Sequence, residues 1–187
     1  MVKNIIMAGV GGQGIILASN IACAALLQSG YDVKKSEIHG MAQRGGSVLS
    51  FVRFGEKVYS PVVPLGSADV IISFENMEFL RYLEYVNKNT ILILNERKIM
   101  PPSVSIGKEE YPVNYINDYK SKFASVYEID ADKLASEAGN SKAAGMPLLG
   151  ELCKILEMDK SIWEEVIKNS VPPKTIDVNI KAFRSGF

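Results

Sequence analysis

This chain of 187 residues holds few of the groups that metal or thiol chemistry needs: two cysteines, Cys23 and Cys153, and a single histidine, His39. Two distant cysteines without C-x-x-C spacing exclude a disulfide scaffold, a zinc ribbon and a four-thiolate iron–sulfur cluster held by this chain alone. They suit a reducing compartment, so a cytoplasmic location is expected. One histidine excludes an H-x-x-x-H or H-E-x-x-H metal pair, and no serine stands in a G-x-S-x-G elbow. A self-contained hydrolase or metalloenzyme therefore has no support. Charge of one sign is also missing: 21 Lys and Arg balance 21 Asp and Glu. No basic field exists to hold nucleic acid or anionic lipid. Residues 4–31 carry no charge at all, yet the longest apolar stretch, residues 15–27, falls short of the ~20 residues a spanning helix needs. Ser19 and Asn20 interrupt it, and four glycines with Gln13 break any signal-peptide core. No membrane partner is expected, and the segment reads as a buried strand, turn and helix. Internal repeats and low-complexity segments are absent.

What is present is ordinary globular composition, 47% hydrophobic and 22% charged, sufficient for one α/β domain over residues 1–187. Ile5-Ile6-Met7-Ala8 predicts a first strand buried on both faces, followed by an Ala-rich helix over residues 12–29 that Gly30 ends. Residues 31–36 suit a second strand. Residues 47–54, then Gly55-Glu56-Lys57 and Val58-Tyr59, suggest a hairpin. Strands are expected at 68–74, 90–94 and 124–129, with an amphipathic helix at 75–86. Helices follow at 130–138, 141–158 and 159–168. Residues 95–112 are the least regular, and the tail 171–187 has no assigned element. The alternation predicts a Rossmann-like, doubly wound, mainly parallel sheet with an inserted hairpin and a helical C-terminal part.

Two segments stand out as candidate sites. Gly9, Gly11 and Gly14 match G-x-G-x-x-G between a strand and a helix, where glycines permit close approach and free N–H groups attract an anion. The acid that would take a ribose is poorly placed: Asp32 stands at the wrong end of the second strand and Glu37 comes late. A nicotinamide loop, a purely packing turn, and contact with another cofactor or a partner chain all stay open. The second segment, residues 36–47, reads as a shaped loop with Glu37, His39, Gln43 and Arg44 bracketed by Gly40, Gly45 and Gly46. Arg44 offers a fork for a carboxylate or phosphate, and His39 is the one side chain here of the type that can move a proton near neutral pH. Three glycines around an arginine are entropically costly unless the loop must hold one shape. Elsewhere, Cys23, Cys153 and Trp163 read as packing residues, and the pairs Glu109-Glu110 and Glu164-Glu165 as solvated.

Gly9-Val10-Gly11-Gly12-Gln13-Gly14 before an Ala-rich helix, followed by Ser36-Glu37-Ile38-His39-Gly40-Met41-Ala42-Gln43-Arg44-Gly45-Gly46-Ser47-Val48, resembles the gamma-type domain of 2-oxoacid:ferredoxin oxidoreductases. Tyr59-Ser60-Pro61, Gly139-Asn140 and Gly145-Met146-Pro147-Leu148-Leu149-Gly150 resemble later signatures of that family. His-Gly-Met-Ala-Gln before Arg-Gly favours the indolepyruvate branch. The resemblance implies a subunit, not a complete enzyme. A larger partner would hold thiamine diphosphate, a divalent metal and iron–sulfur clusters. A 2-oxoacid would lose carbon dioxide, ferredoxin would receive electrons through that partner, and coenzyme A would take the acyl group. It further implies that Gly9, Gly11, Gly12, Gln13, Gly14, Glu37, His39, Gln43, Arg44, Gly45 and Gly46 contact a ligand or the partner. A stand-alone NAD(P)-dependent oxidoreductase and a non-catalytic protein-binding module are the rival readings.

Overall fold

The computed structural model describes residues 1–39, 46–100, 102–108, 110 and 115–187. Six strands form one sheet: β1 (Lys3–Val10), β2 (Asp32–His39), β3 (Ser47–Gly55), β4 (Val70–Ser73), β5 (Ile91–Asn95) and β6 (Ser125–Ile129), in the order β2-β3-β1-β4-β5-β6. β1, β4, β5 and β6 are mutually parallel, whereas β3 runs antiparallel to both β1 and β2. β2 therefore points the same way as β1, and only β3 is reversed. The central strands are continuous apolar runs because both faces are covered: β1 is buried from Asn4 to Val10, and Val70-Ile71-Ile72-Ser73 is buried throughout. The α/β fold and mainly parallel sheet follow the sequence expectation.

The helices are α1 (Ile15–Gln28), two single turns α2 (Pro102–Ser105) and α3 (Ile116–Tyr119), then α4 (Ala131–Ala138), α5 (Gly145–Ile155), α6 (Lys160–Ser170) and α7 (Ile176–Ser185). Side-chain alternation divides the core. Ile5, Met7, Val48, Val52, Phe54 and Ile72 face α1 and α4 to α7, while Ile6, Ala8, Leu49, Phe51, Ile71 and Leu92 face the 3-10 helix Glu78–Tyr85, Val63 and Phe123. Trp163 is fully buried and stacks on Phe183, rings 6.2 Å apart and 12° from parallel. Cys153 is buried and Cys23 half-buried against the same cluster. Burial pushes both thiols up to about 11, so they stay protonated at neutral pH.

The structure corrects several expectations. The hairpin is not local: β3 pairs with β2 from Asp32↔Gly55 to His39↔Val48, and Val58 joins no strand. The Val58 N–H instead goes to Asp32 Oδ2 at 2.9 Å. That carboxylate also meets Lys34 Nζ at 2.8 Å, and these hydrogen bonds, with Lys57 nearby, hold its pKa down at about 2. β2 runs three residues past the expected end, so Glu37 and His39 are in a strand, not a loop. α1 begins at Ile15, because Gly12 and Gly14 are left-handed. The segment expected as an amphipathic helix at 75–86 is a 3-10 helix broken at Tyr82. Residues 141–158 split into a 3-10 turn, Ser141–Ala143, and α5. The tail contains α7. Glu164 is not simply solvated, since both its oxygens receive Arg184 N–H groups at 2.7 and 2.8 Å. Glu165 accepts from Gln28 at 3.1 Å. Glu110 is exposed, and Glu109 lies outside the described residues.

Candidate functional site

The carboxyl ends of β1, β2, β4, β5 and β6 form one edge of the sheet, the place where open α/β folds bind ligands. The glycine turn leaves β1 there and β3 enters beside it. The Gly11 N–H donates to the Gly46 carbonyl at 2.9 Å, so the two segments singled out by sequence are joined directly. Gly12 and Gly14 adopt φ of 98° and 80°, the region where a side chain is strained. Gly14 is the N-cap of α1 and supplies no side-chain cap; no acid occupies the first turn. The positive end of a 14-residue helix is thus left without a compensating charge of its own.

Gln13 turns inward. Its Oε1 accepts the Val10 N–H at 2.7 Å and its Nε2 donates to the Phe74 carbonyl at 3.1 Å, tying the turn to the end of β4. A Cβ on Gly9 would stand 2.6 Å from that Oε1 and 2.8 Å from Phe74 Cβ, so the position must be glycine for the amide to fit. Asn95, at the end of β5, donates to the same Phe74 carbonyl at 3.1 Å and to Asp132 at 3.2 Å, and accepts the Ala131 N–H at 3.2 Å. Gly145 lets α5 approach Phe74, where a Cβ would be 3.3 Å from the ring.

Around the start of β3, Ser47 Oγ donates to Glu78 at 2.8 Å and lies 3.1 Å from the Tyr82 hydroxyl; Arg81 reaches Glu78 at 3.2 Å. Burial raises the Tyr82 pKa, so the phenol stays neutral. The buried Glu75 carboxylate accepts the Met77 and Ile99 N–H groups at 2.7 and 3.0 Å. Asn76 is bonded by the Tyr115 hydroxyl. Sequence reading missed Phe74, Glu75, Asn76, Glu78 and Asn95. The available signal was position alone: each follows, or ends, a strand at this edge.

Of the residues singled out, Gly9, Gly11, Gly12, Gln13, Gly14 and Gly46 are brought together. Glu37 lies two residues from the end of β2, its carboxylate 2.5 Å from Lys35 Nζ, which also bonds Asn20 on α1. His39 closes β2, paired with Val48. Gln43, Arg44 and Gly45 lie outside the described residues. The geometry is unfavourable for a dinucleotide. β3 separates β1 from β2, so Glu37 is two strands, ~10 Å, from the glycine turn, and Asp32 is at the opposite end. Among the described residues no group of three His, Cys, Asp or Glu could hold a metal. Two neutral thiols, on α1 and α5, do not make an iron–sulfur donor set, so no redox step is assigned to this chain. Among the described residues no helix is long and apolar enough to cross a membrane.

Residues 4–187 match the family model of pyruvate ferredoxin/flavodoxin oxidoreductases. Over 98% of its length the chain is 46% identical to the indolepyruvate oxidoreductase subunit IorB of Thermococcus kodakarensis, of which 93% is covered. It is 30% identical over its full length to the 2-oxoglutarate synthase subunit KorC of Methanothermobacter marburgensis, 95% covered. The fold matches the gamma subunit of a keto/oxoacid ferredoxin oxidoreductase from Geobacter sulfurreducens, TM-score 0.72 at 21% identity, covering 99% of this chain and 96% of that one. It also matches a 2-oxoglutarate:ferredoxin oxidoreductase from Magnetococcus marinus, TM-score 0.78 at 21% identity, covering 99% of this chain but only 30% of the other. Matched by that family model over residues 4–187 and by a relative 46% identical over almost its whole length, the chain belongs to the pyruvate ferredoxin/flavodoxin oxidoreductase family.

Proposed function

We propose that the chain is the small subunit of a cytoplasmic 2-oxoacid:ferredoxin oxidoreductase acting on indolepyruvate or a related aryl pyruvate, a single gamma-type domain inactive alone. The observation that carries this is the 46% identity to an indolepyruvate oxidoreductase subunit over almost the whole of both chains. In the reaction, the bond between the oxo carbon and the carboxylate breaks. Carbon dioxide leaves, two electrons go to ferredoxin, and the acyl group joins the coenzyme A sulfur with release of its proton. Thiamine diphosphate with its divalent metal, and the clusters, are assigned to the larger subunit, since the described residues of this chain hold no donor set for a metal ion or a cluster.

This chain contributes a shaped polar edge. Gly9, Gly11, Gly12 and Gly14 bring backbone close to the ligand or the partner, and Gln13 fixes the turn from inside. Glu37, His39, Gln43, Arg44, Gly45 and Gly46 present the second half of the contact, with Arg44 engaging an anionic group or a partner carboxylate. Arg44→Ala lowers oxoacid turnover at least about ten-fold in the assembled enzyme, consistent with loss of a charge-assisted contact, and leaves the isolated chain folded. Anaerobic purification of the tagged chain with its partner, assayed by coenzyme A-dependent viologen reduction on indolepyruvate, reads both points. Unchanged turnover in an intact complex removes the role of Arg44, and a chain that recovers no larger partner removes the reading itself.

A further inference from the structure

Tyr59-Ser60-Pro61 is a family-like motif at the end of the sheet opposite the glycine turn, so the site above does not use it. It belongs to a strap, residues 58–68, without a single charged side chain. The strap is pinned. Val58, Val63 and Ala68 are buried beneath it. Arg53 Nη1 donates to the Ser60 and Val62 carbonyls at 2.8 and 3.0 Å, and its Nε to Asn4 at 2.7 Å. Gly66 and Ala68 N–H groups bond Glu84 and Tyr85 at 2.9 Å each. Yet it holds Tyr59, Val62 and Leu65 out at 89%, 54% and 63% exposure. A flexible loop would fold such side chains inward; here the backbone bonds keep them displayed.

The strap adjoins a gap in the layering. Asp32, Lys34, Ser36 and Ile38 of β2 share a face with Leu49, Phe51 and Arg53 of β3. On the reverse face α1 covers this wing. On the strap's face the 3-10 helix covers β1 and β4 and meets β3 through Ser47 and Phe51; β2 lies beyond it at the sheet edge, with Ile38 left 54% exposed. A doubly wound sheet is normally covered on both sides. The exposed parts of Ile38, Tyr59, Val62 and Leu65 amount to on the order of 400 Å² of apolar surface, about half of what one partner gives to a standard interface.

We propose that this wing face, with its strap, is a docking surface for the larger subunit, whose apolar, uncharged side chains supply the missing layer. The inference rests on the small-subunit reading and assigns the surface. Three observations favour that occupant. The strap carries no charged side chain over eleven consecutive residues, which suits a permanent apolar contact, and the β2 charges Asp32 and Lys34 on the neighbouring face are paired with each other. Ile38 shares that sheet face next to the end of β2, so a partner that covers β2 as well as the strap also reaches the candidate site edge. The same fold also occurs as about a third of a longer oxidoreductase chain, where the remainder of that polypeptide is available to pack against it.

The test uses the co-expressed complex with a Tyr59→Asp, Val62→Asp double variant, and Leu27→Asp on the exposed side of α1 as the contrast. The double variant weakens association at least about thirty-fold, Leu27→Asp leaves it unchanged, and the free variant chain melts as the wild type does. Hydroxyl-radical footprinting of the unaltered protein gives a second readout: Tyr59 is oxidised in the free chain and protected in the complex. A complex that survives both aspartates, or a Tyr59 equally oxidised in both states, overturns the surface. A wild-type dimer of this chain that the double variant makes monomeric overturns the occupant in favour of a second copy. A wild-type chain that recovers no larger subunit overturns the small-subunit reading instead.

Discussion

Glycines do opposite work in two regions of the molecule. In the turn after β1, Gly12 and Gly14 have left-handed backbones and nothing within 4 Å of where a Cβ would stand. Where α5 crosses the end of α7 the backbone is unstrained, but a Cβ on Gly150 would lie 2.2 Å from the Phe183 carbonyl oxygen, and one on Gly186 1.9 Å from that of Pro147. The first pair is glycine for what the chain must do, the second for what it must not carry. The turn is open toward whatever approaches; the crossing is closed on itself. Sequence spacing marks the turn, yet it is the crossing that has no room for one added methyl.

That contrast orders the expected effects of substitution. Gly150→Ala forces two backbones apart and lowers stability by about 3 kcal/mol or more, read as the midpoint of urea unfolding; a wild-type midpoint breaks the contrast. Gln13→Ala removes the partner of the Val10 N–H, while Asn95 still serves the Phe74 carbonyl, so the loss is about 1–2 kcal/mol. Turnover of the assembled enzyme falls with it, as the turn loses its internal brace. Gly14→Ala strains one residue by about 1 kcal/mol, and its effect on turnover exceeds its effect on melting, the reverse of Gly150→Ala. The smallest effect is at low pH. Asp32 has its pKa held below the unfolded value of 3.8, at about 2, so its contribution is complete above that range and fades as pH falls from about 4 to about 2. Asp32→Asn flattens the acid limb of a melting-temperature profile; an unchanged limb shows that Asp32 does not hold the strap's entry.

Much of the frame was legible because burial on both faces leaves a plain mark. The runs at β1, β4 and β5 are apolar without alternation. β2 was cut short because Lys34, Lys35, Ser36 and Glu37 lack strand character; pairing with β3 decides their conformation, and one residue of Lys34-Lys35 faces each side of an edge strand. The hairpin was misplaced because Gly55-Glu56-Lys57 suits a local turn, whereas the Val58 N–H is taken by Asp32 from 26 positions away. α7 follows Pro172-Pro173, which drew attention from the Ile176, Ile180 and Phe183 spacing. At the site, the glycines and the R-G-G segment were found by motif. Phe74, Asn95 and Glu78 carry no motif, and their importance comes from three strand ends meeting at one edge.

The reversed strand has a consequence for the order in which the chain can assemble. Among the described strands β1 is made before its two neighbours, β3 and β4, residues 47–55 and 70–73. Lys3–Val10 therefore leaves the ribosome with both edges unpaired and an uncharged apolar helix behind it. At ~5–20 residues per second, several seconds pass before β3 can cover one edge, and longer before β4 covers the other. Until β3 emerges, α1 is the element next in the chain that can shelter this strand. Slow-decoding positions before residue 47 would lengthen that exposure, and with it the interval in which nascent chains can pair with one another.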